Sequence, residues 1–159
     1  MLKYFRHSVS FTEVPDEMSV YIPLTGCKIR CKECNSKWLW EFSGTPLTPI
    51  SLLEILRQYP KEITCICIGG GENDLKALNS LFEFIHSHRI NTCWYTGLDT
   101  LPTEISLRNL DYVKIGSFKE FPITDRRTNQ RFYKIVHHPN GIGHYKESKL
   151  IDLTSKFQH

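Results

Sequence analysis

Three cysteines stand within eight residues of one predicted loop, and they have the clearest potential for chemistry in the chain. The segment Cys27-Lys-Ile-Arg-Cys31-Lys-Glu-Cys34 interleaves them with basic side chains. Three neighbouring thiolates repel one another unless a metal ion or cluster neutralises them, and metal binding deprotonates thiols. The basic neighbours also favour the thiolate form. The spacing therefore predicts a metal site on Cys27, Cys31 and Cys34.

The kind of metal site is less constrained by these residues alone. A structural zinc site usually takes four ligands, commonly as two separated pairs. A fourth ligand is not evident here, because Cys65 and Cys67 fall in a predicted strand and His7 is remote in sequence. A 4Fe–4S cluster on three cysteines would leave one iron open to a substrate. Zinc with a distant fourth ligand and unliganded core cysteines remain the alternatives. Strand cysteines 65, 67 and 93 are expected to be buried and structural.

A glycine run is the second candidate feature. Gly69-Gly70-Gly71-Glu72 follows an apolar predicted strand and precedes a predicted helix. Alone it is a weak signal, since tight strand-to-helix turns commonly use glycine. Beside the cysteine loop, its bare backbone would let the amino group of a ligand approach peptide carbonyls closely.

The elements that must position these residues alternate between strand and helix. Strands are predicted at 19–24, 63–68, 92–96, 112–115 and 131–136. Helices are predicted at 51–59, 74–89 and 102–110. The first of these helices is expected to begin with a capping box from Ser51 and to stop at Pro60. This order indicates βαβ units and a parallel sheet. A complete (β/α)8 barrel takes about 250 residues. With 159 residues, we expect one α/β domain over 1–159: an incomplete, side-open (β/α) barrel with a mostly parallel sheet. The cysteine loop, the glycine run and Thr96-Gly97 then share the carboxyl edge of the sheet.

Composition excludes unusual classes of protein. The chain is 40% hydrophobic and 23% charged with a net charge of +3, as in ordinary globular domains. It has no apolar run of membrane-spanning length and no signal-like amino terminus, so a cytoplasmic location is expected. Positive charge is concentrated from Val113 to Lys149. Such a patch fits either binding of phosphates or an acidic partner, or simply a solvated face.

The cysteine spacing after a first strand resembles that of the radical S-adenosylmethionine superfamily. The flanking residues are similar to those of activating proteins of anaerobic ribonucleoside-triphosphate reductases, over about 19–136; they are Thr25-Gly26, Asn35, Trp38, Ser43-Gly44 and Thr128-Asn129-Gln130-Arg131. Two positions depart from the common pattern. Glu33 replaces an aromatic residue that many superfamily members have, and Asn73 stands where a proline often follows the Gly-Gly-Glu segment.

The resemblance implies a 4Fe–4S cluster on Cys27, Cys31 and Cys34, with no catalytic side chain beyond these ligands. It implies that S-adenosylmethionine binds at Glu33, Cys34, Asn35, Gly70, Gly71, Glu72 and Thr96. The reduced cluster would cleave this cofactor, and the resulting radical would create a glycyl radical on a partner anaerobic ribonucleoside-triphosphate reductase. An electron donor such as flavodoxin or ferredoxin is then expected, with no membrane and no direct nucleic-acid binding.

Partner docking is expected near Arg126, Arg127 and Arg131, with His137 and His138 at the surface or facing the partner. Two rival functions remain open. One is a radical enzyme acting on a small molecule, such as a deazapurine-synthase-like protein, for which more chain would be expected around the substrate. The other is a non-enzymatic module in which a metal only staples the cysteine loop.

Overall fold

A mixed β-sheet with helices on one face forms the framework. The structure is a computed structural model that describes residues 1–59, 61–120, 128–139 and 145–157. Its strands and helices, in chain order, are β1 (Lys3–Tyr4), β2 (Ser8–Ser10), β3 (Ser19–Pro23), β4 (Thr45–Pro46), α1 (Pro49–Leu56), β5 (Cys65–Gly69), α2 (Leu75–Ser87), β6 (Asn91–Tyr95), β7 (Tyr112–Ile115), β8 (Arg131–Pro139) and β9 (Tyr145–Asp152).

Four neighbouring parallel strands occupy the centre of the main sheet. Its order is β2-β3-β5-β6-β7-β8-β9, and β3, β5, β6 and β7 run parallel. The outer strands β2, β8 and β9 pair antiparallel with their neighbours, while β1 and β4 form a separate pair. The α/β class and the parallel centre are confirmed. The expected partial barrel is not, because this strand order describes an open sheet, with β2 and β9 at its edges within the described chain.

Alternation along the strands gives the sheet two different faces. Val20, Ile22 and Trp94 belong to the face that packs against the helices, in the larger hydrophobic core. The opposite face, called here the inner face, carries the buried strand cysteines with tyrosine and phenylalanine rings; its buried members are Val14, Cys65, Cys67, Cys93, Tyr95, Tyr112 and Phe132. The predicted structural burial of the three strand cysteines is confirmed, as each is 0% exposed.

Helix α1 begins earlier than the sequence predicts. Its N-cap is Thr48, whose hydroxyl accepts from the Ser51 backbone N at 3.2 Å while Ser51 Oγ accepts from the Thr48 backbone N at 2.8 Å. The capping box therefore runs from Thr48 to Ser51, and the predicted box beginning at Ser51 is wrong. Pro49 fits the first helical position, because its missing N–H has no partner there in any helix. Pro60, the expected stop, lies outside the described residues.

Helix α2 confirms its amphipathic pattern. Asp74 caps it by accepting from the Ala77 backbone N at 3.0 Å, and Leu78, Phe82 and Ile85 are buried against the sheet. The helix predicted over 102–110 is reduced to a 3-10 turn at Leu107–Asn109. Asn79 on α2 explains this, since its side chain bonds the Glu104 carbonyl at 2.6 Å and the Ser106 backbone N at 2.9 Å.

Two features of the carboxyl-terminal part were not predicted. Strand β8 extends to Pro139, and β9 pairs with it to form an antiparallel hairpin.

None of the helices in the described ranges is both long enough and apolar enough to span a membrane.

Candidate cofactor site

A cavity of about 210 Å³ lies at the carboxyl ends of the parallel strands. It brings together the cysteine loop, the glycine turn and the end of β6. Predicted site residues that line it are Cys27, Cys31, Asn35, Gly70, Glu72 and Thr96. The other predicted residues, Glu33, Cys34 and Gly71, are not among its lining residues.

The cysteine loop leaves β3 through a glycine turn. Gly26 has a φ of +83°, and a Cβ there would lie 2.7 Å from the Phe42 ring, so this close approach requires glycine. The Cys27 backbone N donates to the Leu39 carbonyl at 2.9 Å, which fixes the start of the loop. All three loop cysteines are half-buried free thiols.

Backbone N–H groups donate to each of the three loop sulfurs. Cys34 Sγ accepts from the Ser36 backbone N, and Cys31 Sγ from the Phe118 backbone N, both at 3.3 Å. Cys27 Sγ accepts from the backbone of Arg30 and Ile29. Burial raises the pKa of Cys27 above its usual value, and these backbone donors lower it in part. Donors of this kind stabilise thiolates and tune metal clusters bound to them.

The donor set fits a cluster better than a single ion. Among the described residues, no group of three or more His, Cys, Asp or Glu side chains is placed to hold one metal ion. A 4Fe–4S cluster holds its thiolates farther apart than one ion does, because each thiolate binds a different iron. Three half-buried thiols with N–H donors at every sulfur are the ligand chemistry that such a cluster takes.

The two central glycines of the turn after β5 have different surroundings. Both have positive φ, +86° at Gly70 and +93° at Gly71. A Cβ at Gly70 would meet nothing closer than 3.5 Å, whereas a Cβ at Gly71 would lie 2.8 Å from Leu24 and 2.9 Å from Leu78 side-chain atoms. Gly70 therefore faces the cavity, while Gly71 packs against the core.

Glu72 is held in place by the end of β6. Its Oε1 accepts from Thr96 Oγ1 at 2.7 Å and from the Gly97 backbone N at 3.1 Å. Thr96 Oγ1 in turn accepts from the Leu98 backbone N at 3.2 Å. These bonds present a fixed carboxylate to the cavity beside Gly70, which suits recognition of an ammonium group.

Glu33 contacts the segment that follows β7. Its Oε2 accepts from the Glu120 backbone N at 2.8 Å, so it ties the cysteine loop to the segment after β7. Together with the bond from Phe118 to Cys31, this contact fixes the far side of the loop. The structure thus places Glu33 in a structural contact, and its predicted role in cofactor binding remains a prediction.

The cavity residues that sequence reasoning did not propose for the site include Tyr21, Tyr95, Lys114 and Gln130. Lys114 Nζ lies 3.9 Å from the centroid of the Tyr95 ring, and burial lowers its pKa below the usual range. Burial raises the pKa of Tyr21 far above its ordinary value. The sequence did offer one signal for Lys114, because a lysine inside an apolar predicted strand indicates a function or a buried partner.

The predicted docking residues have mixed outcomes. Arg126 and Arg127 lie outside the described residues, and Arg131 is exposed with a guanidinium nitrogen 4.0 Å from Asp152. His137 is half-buried, with Nε2 3.0 Å from the Leu110 carbonyl and Nδ1 3.1 Å from Ser148 Oγ. His138 is exposed. His137 therefore braces β8 against its neighbours in the sheet.

Comparison with known proteins points to one enzyme class. No protein-family model matches the chain. The chain is 38% identical over 72 residues to 7-carboxy-7-deazaguanine synthase of Hyperthermus butylicus. The matched segment covers 43% of this chain and 30% of that enzyme. The match supports the radical S-adenosylmethionine superfamily, whose enzymes of this type use a 4Fe–4S cluster and S-adenosylmethionine. It does not support the subfamily of reductase-activating proteins.

The expectation of a protein substrate is therefore corrected. The similar enzyme is named for a small heterocyclic product, so the prediction of a ribonucleotide reductase as protein substrate, with its own docking surface, is wrong on this finding. The small-molecule alternative fits better.

Proposed function

We propose that this chain is a radical S-adenosylmethionine enzyme that acts on a small molecule, as a deazapurine synthase does. The observation that carries the proposal is that Cys27 and Cys31, two of the three half-buried loop thiols that accept backbone N–H bonds, line one cavity with Gly70 and the fixed carboxylate of Glu72. The similarity to 7-carboxy-7-deazaguanine synthase supports the same class.

The chain's own residues would divide the work between holding and orienting. Cys27, Cys31 and Cys34 would hold a 4Fe–4S cluster and leave one iron without a protein ligand. Gly70 would allow close approach of a ligand to the backbone, and Glu72 would accept hydrogen bonds from an ammonium group. When bound, the cluster and S-adenosylmethionine would supply one-electron radical chemistry in this cavity.

The cavity's surroundings favour a small substrate. Tyr21 and Tyr95 line it, and their rings add apolar surface to its wall. The rings lie 5.9 Å apart between centroids on neighbouring parts of the inner face. Substrate pockets are commonly concave and lined by aromatic groups with a few fixed polar groups, as this one is.

Anaerobic reconstitution with iron and sulfide tests the proposal. We expect about four irons per chain, brown absorbance and cleavage of S-adenosylmethionine to methionine and 5′-deoxyadenosine under reduction. Cys31→Ala should lose most of the iron, whereas Cys65→Ala, a buried strand cysteine, should keep it.

Equal iron loss in Cys65→Ala would contradict the three-ligand assignment. Tight zinc binding by a colourless protein, without cofactor cleavage, would instead identify the chain as a metal-binding module.

A further inference from the structure

A cavity at the amino ends of the parallel strands, away from the cofactor site, has no part in the proposed chemistry. It has a volume of about 430 Å³, about twice that of the cofactor cavity. Its lining comes from the end of α1, the segment before β5 and the residue before β6, namely Leu53, Leu56, Arg57, Tyr59, Lys61, Ile63 and Ile90. Small-molecule sites commonly have volumes of about 300–1,000 Å³, so this cavity has the size of a ligand site.

Aliphatic side chains from three parts of the chain form an apolar floor. Leu53 and Leu56 lie three positions apart on α1 and therefore share one side of that helix. Leu56, Ile63 and Ile90 are half-buried, because they pack against the main hydrophobic core and also line the cavity. The floor is thus fixed by the core beneath it, and an apolar ligand would remove its exposed surface from water.

Tyr59 adds an aromatic ring to the lining, and contacts outside the cavity hold that ring. Its hydroxyl is hydrogen-bonded to His7 Nδ1, and the two rings meet edge to face with centroids 5.4 Å apart. Both contacts connect Tyr59 to the segment between β1 and β2. A wall that is already in position lowers the entropy cost of binding a ligand.

Arg57 and Lys61 give the cavity a positive charge. Both side chains are exposed, and neither forms an ion pair with another residue that the structure describes. None of the described lining residues is a carboxylate. The carbonyls of residues 53–56, at the end of α1, all accept hydrogen bonds, so they are not left as free acceptors facing a ligand. Two unpaired cations beside an apolar floor are complementary to a ligand with an apolar body and a negative end.

We propose that this cavity binds a small amphipathic anion, whose apolar body covers Leu53, Leu56 and Ile63 while its carboxylate contacts Arg57 and Lys61. This site goes beyond the proposed function. The described linings of this cavity and of the cofactor cavity have no residue in common. Strands β5 and β6, of five residues each, separate the two cavities by roughly 15 Å, so both can be occupied at once.

Calorimetry with octanoate and 1-octanol on the reconstituted protein tests the contribution of the charge. The two probes have the same eight-carbon body, and only octanoate carries a carboxylate. We expect octanoate to bind at a single site about tenfold more tightly than octanol, as one charge-assisted contact allows. The double change Arg57→Gln and Lys61→Gln should remove this preference. The matched control Lys76→Gln changes an exposed lysine on α2 that does not line the cavity, and it should keep the preference.

Two further measurements test the apolar floor and the location. Butyrate should bind about a hundredfold more weakly than octanoate, because it buries four fewer methylene groups. Leu53→Asn should weaken octanoate as well, since it makes the floor polar without changing the charge. Saturating S-adenosylmethionine should leave the affinity for octanoate unchanged.

Equal affinity for octanoate and octanol would overturn the site, and so would displacement of octanoate by S-adenosylmethionine. Failure of octanoate to bind, with binding of an acidic amphipathic peptide instead, would assign the surface to a protein partner and overturn the small-molecule site. Failure of iron loading would count against the proposed function alone, because none of the proposed cluster ligands lines this cavity.

Discussion

Two threonines, one inside β6 and one directly after it, allow the hydrogen bond that holds Glu72 to be measured against an internal control. Thr96 is 4% exposed and donates to Glu72 Oε1 at 2.7 Å. Thr92 is 0% exposed, and within the described residues its hydroxyl has no hydrogen-bond partner. Valine has nearly the shape of threonine, so Thr96→Val and Thr92→Val remove a hydroxyl with little change in packing.

The two changes should differ in sign. A hydrogen bond to a charged group contributes about 1.5–3 kcal/mol, so Thr96→Val should lower the free energy of unfolding by about that amount. Glu72 keeps one donor, the Gly97 backbone N at 3.1 Å, which limits the loss. Thr92→Val removes a buried hydroxyl without a partner, so stability should stay equal or rise by about 1 kcal/mol.

Urea unfolding followed by circular dichroism, on reduced protein kept anaerobic, measures both differences. For a domain of this size, 1 kcal/mol corresponds to about 2–4 °C in melting temperature, so thermal melts give a second reading. Calorimetry with S-adenosylmethionine should show weaker binding for Thr96→Val and unchanged binding for Thr92→Val. Equal destabilisation by the two variants would refute the reasoning, because it would remove the Thr96–Glu72 bond as the source of the effect.

Two further outcomes follow from the glycine turn and from the inner face. In urea unfolding, Gly71→Ala should destabilise the fold by about 1–3 kcal/mol more than Gly70→Ala, because only the Cβ added at position 71 overlaps Leu24 and Leu78. Equal losses of unfolding free energy in the two variants would contradict the different surroundings of the two glycines. Burial raises the pKa of Cys93 above its unfolded value. As pH rises, the Cys93 thiol therefore loses its proton in the unfolded chain before it does in the folded protein. The free energy of unfolding should then fall as pH rises above about 8.5. A constant free energy of unfolding up to about pH 10 would exclude the effect.

The central strands and α2 were predictable because their local patterns and their tertiary roles agree. Strand β5 consists of apolar residues bounded by a glycine run, and α2 repeats its apolar positions at helical spacing. The 102–110 segment was not predictable, because Asn79 bonds its backbone from another element and overrides local helix preference. Strand β9 is too polar to be recognised without its partner β8.

The cysteine loop could be identified as a candidate metal site from spacing alone, but the cavity walls could not be predicted. Tyr21 and Lys114 are far apart in sequence and meet only because β3, β5, β6 and β7 lie side by side. Gly70 and Gly71 are indistinguishable in the sequence, and only the packing of Leu24 and Leu78 separates their roles. A sequence therefore shows a candidate site more readily when its residues are close together in the chain than when strand order brings distant residues together.

The cysteine loop contacts several strand ends, which has a consequence for local opening of the protein. Ile29 packs against Gly97 after β6, where an added Cβ would lie 3.0 Å from Ile29 Cγ1, and Cys31 Sγ accepts from the Phe118 backbone N beyond β7. Separation of the loop from this edge breaks both contacts at once. The Phe118 amide should therefore exchange its hydrogen with solvent in one cooperative step with the loop amides, and an iron-loaded loop should slow that exchange at Phe118 as well as around the cysteines.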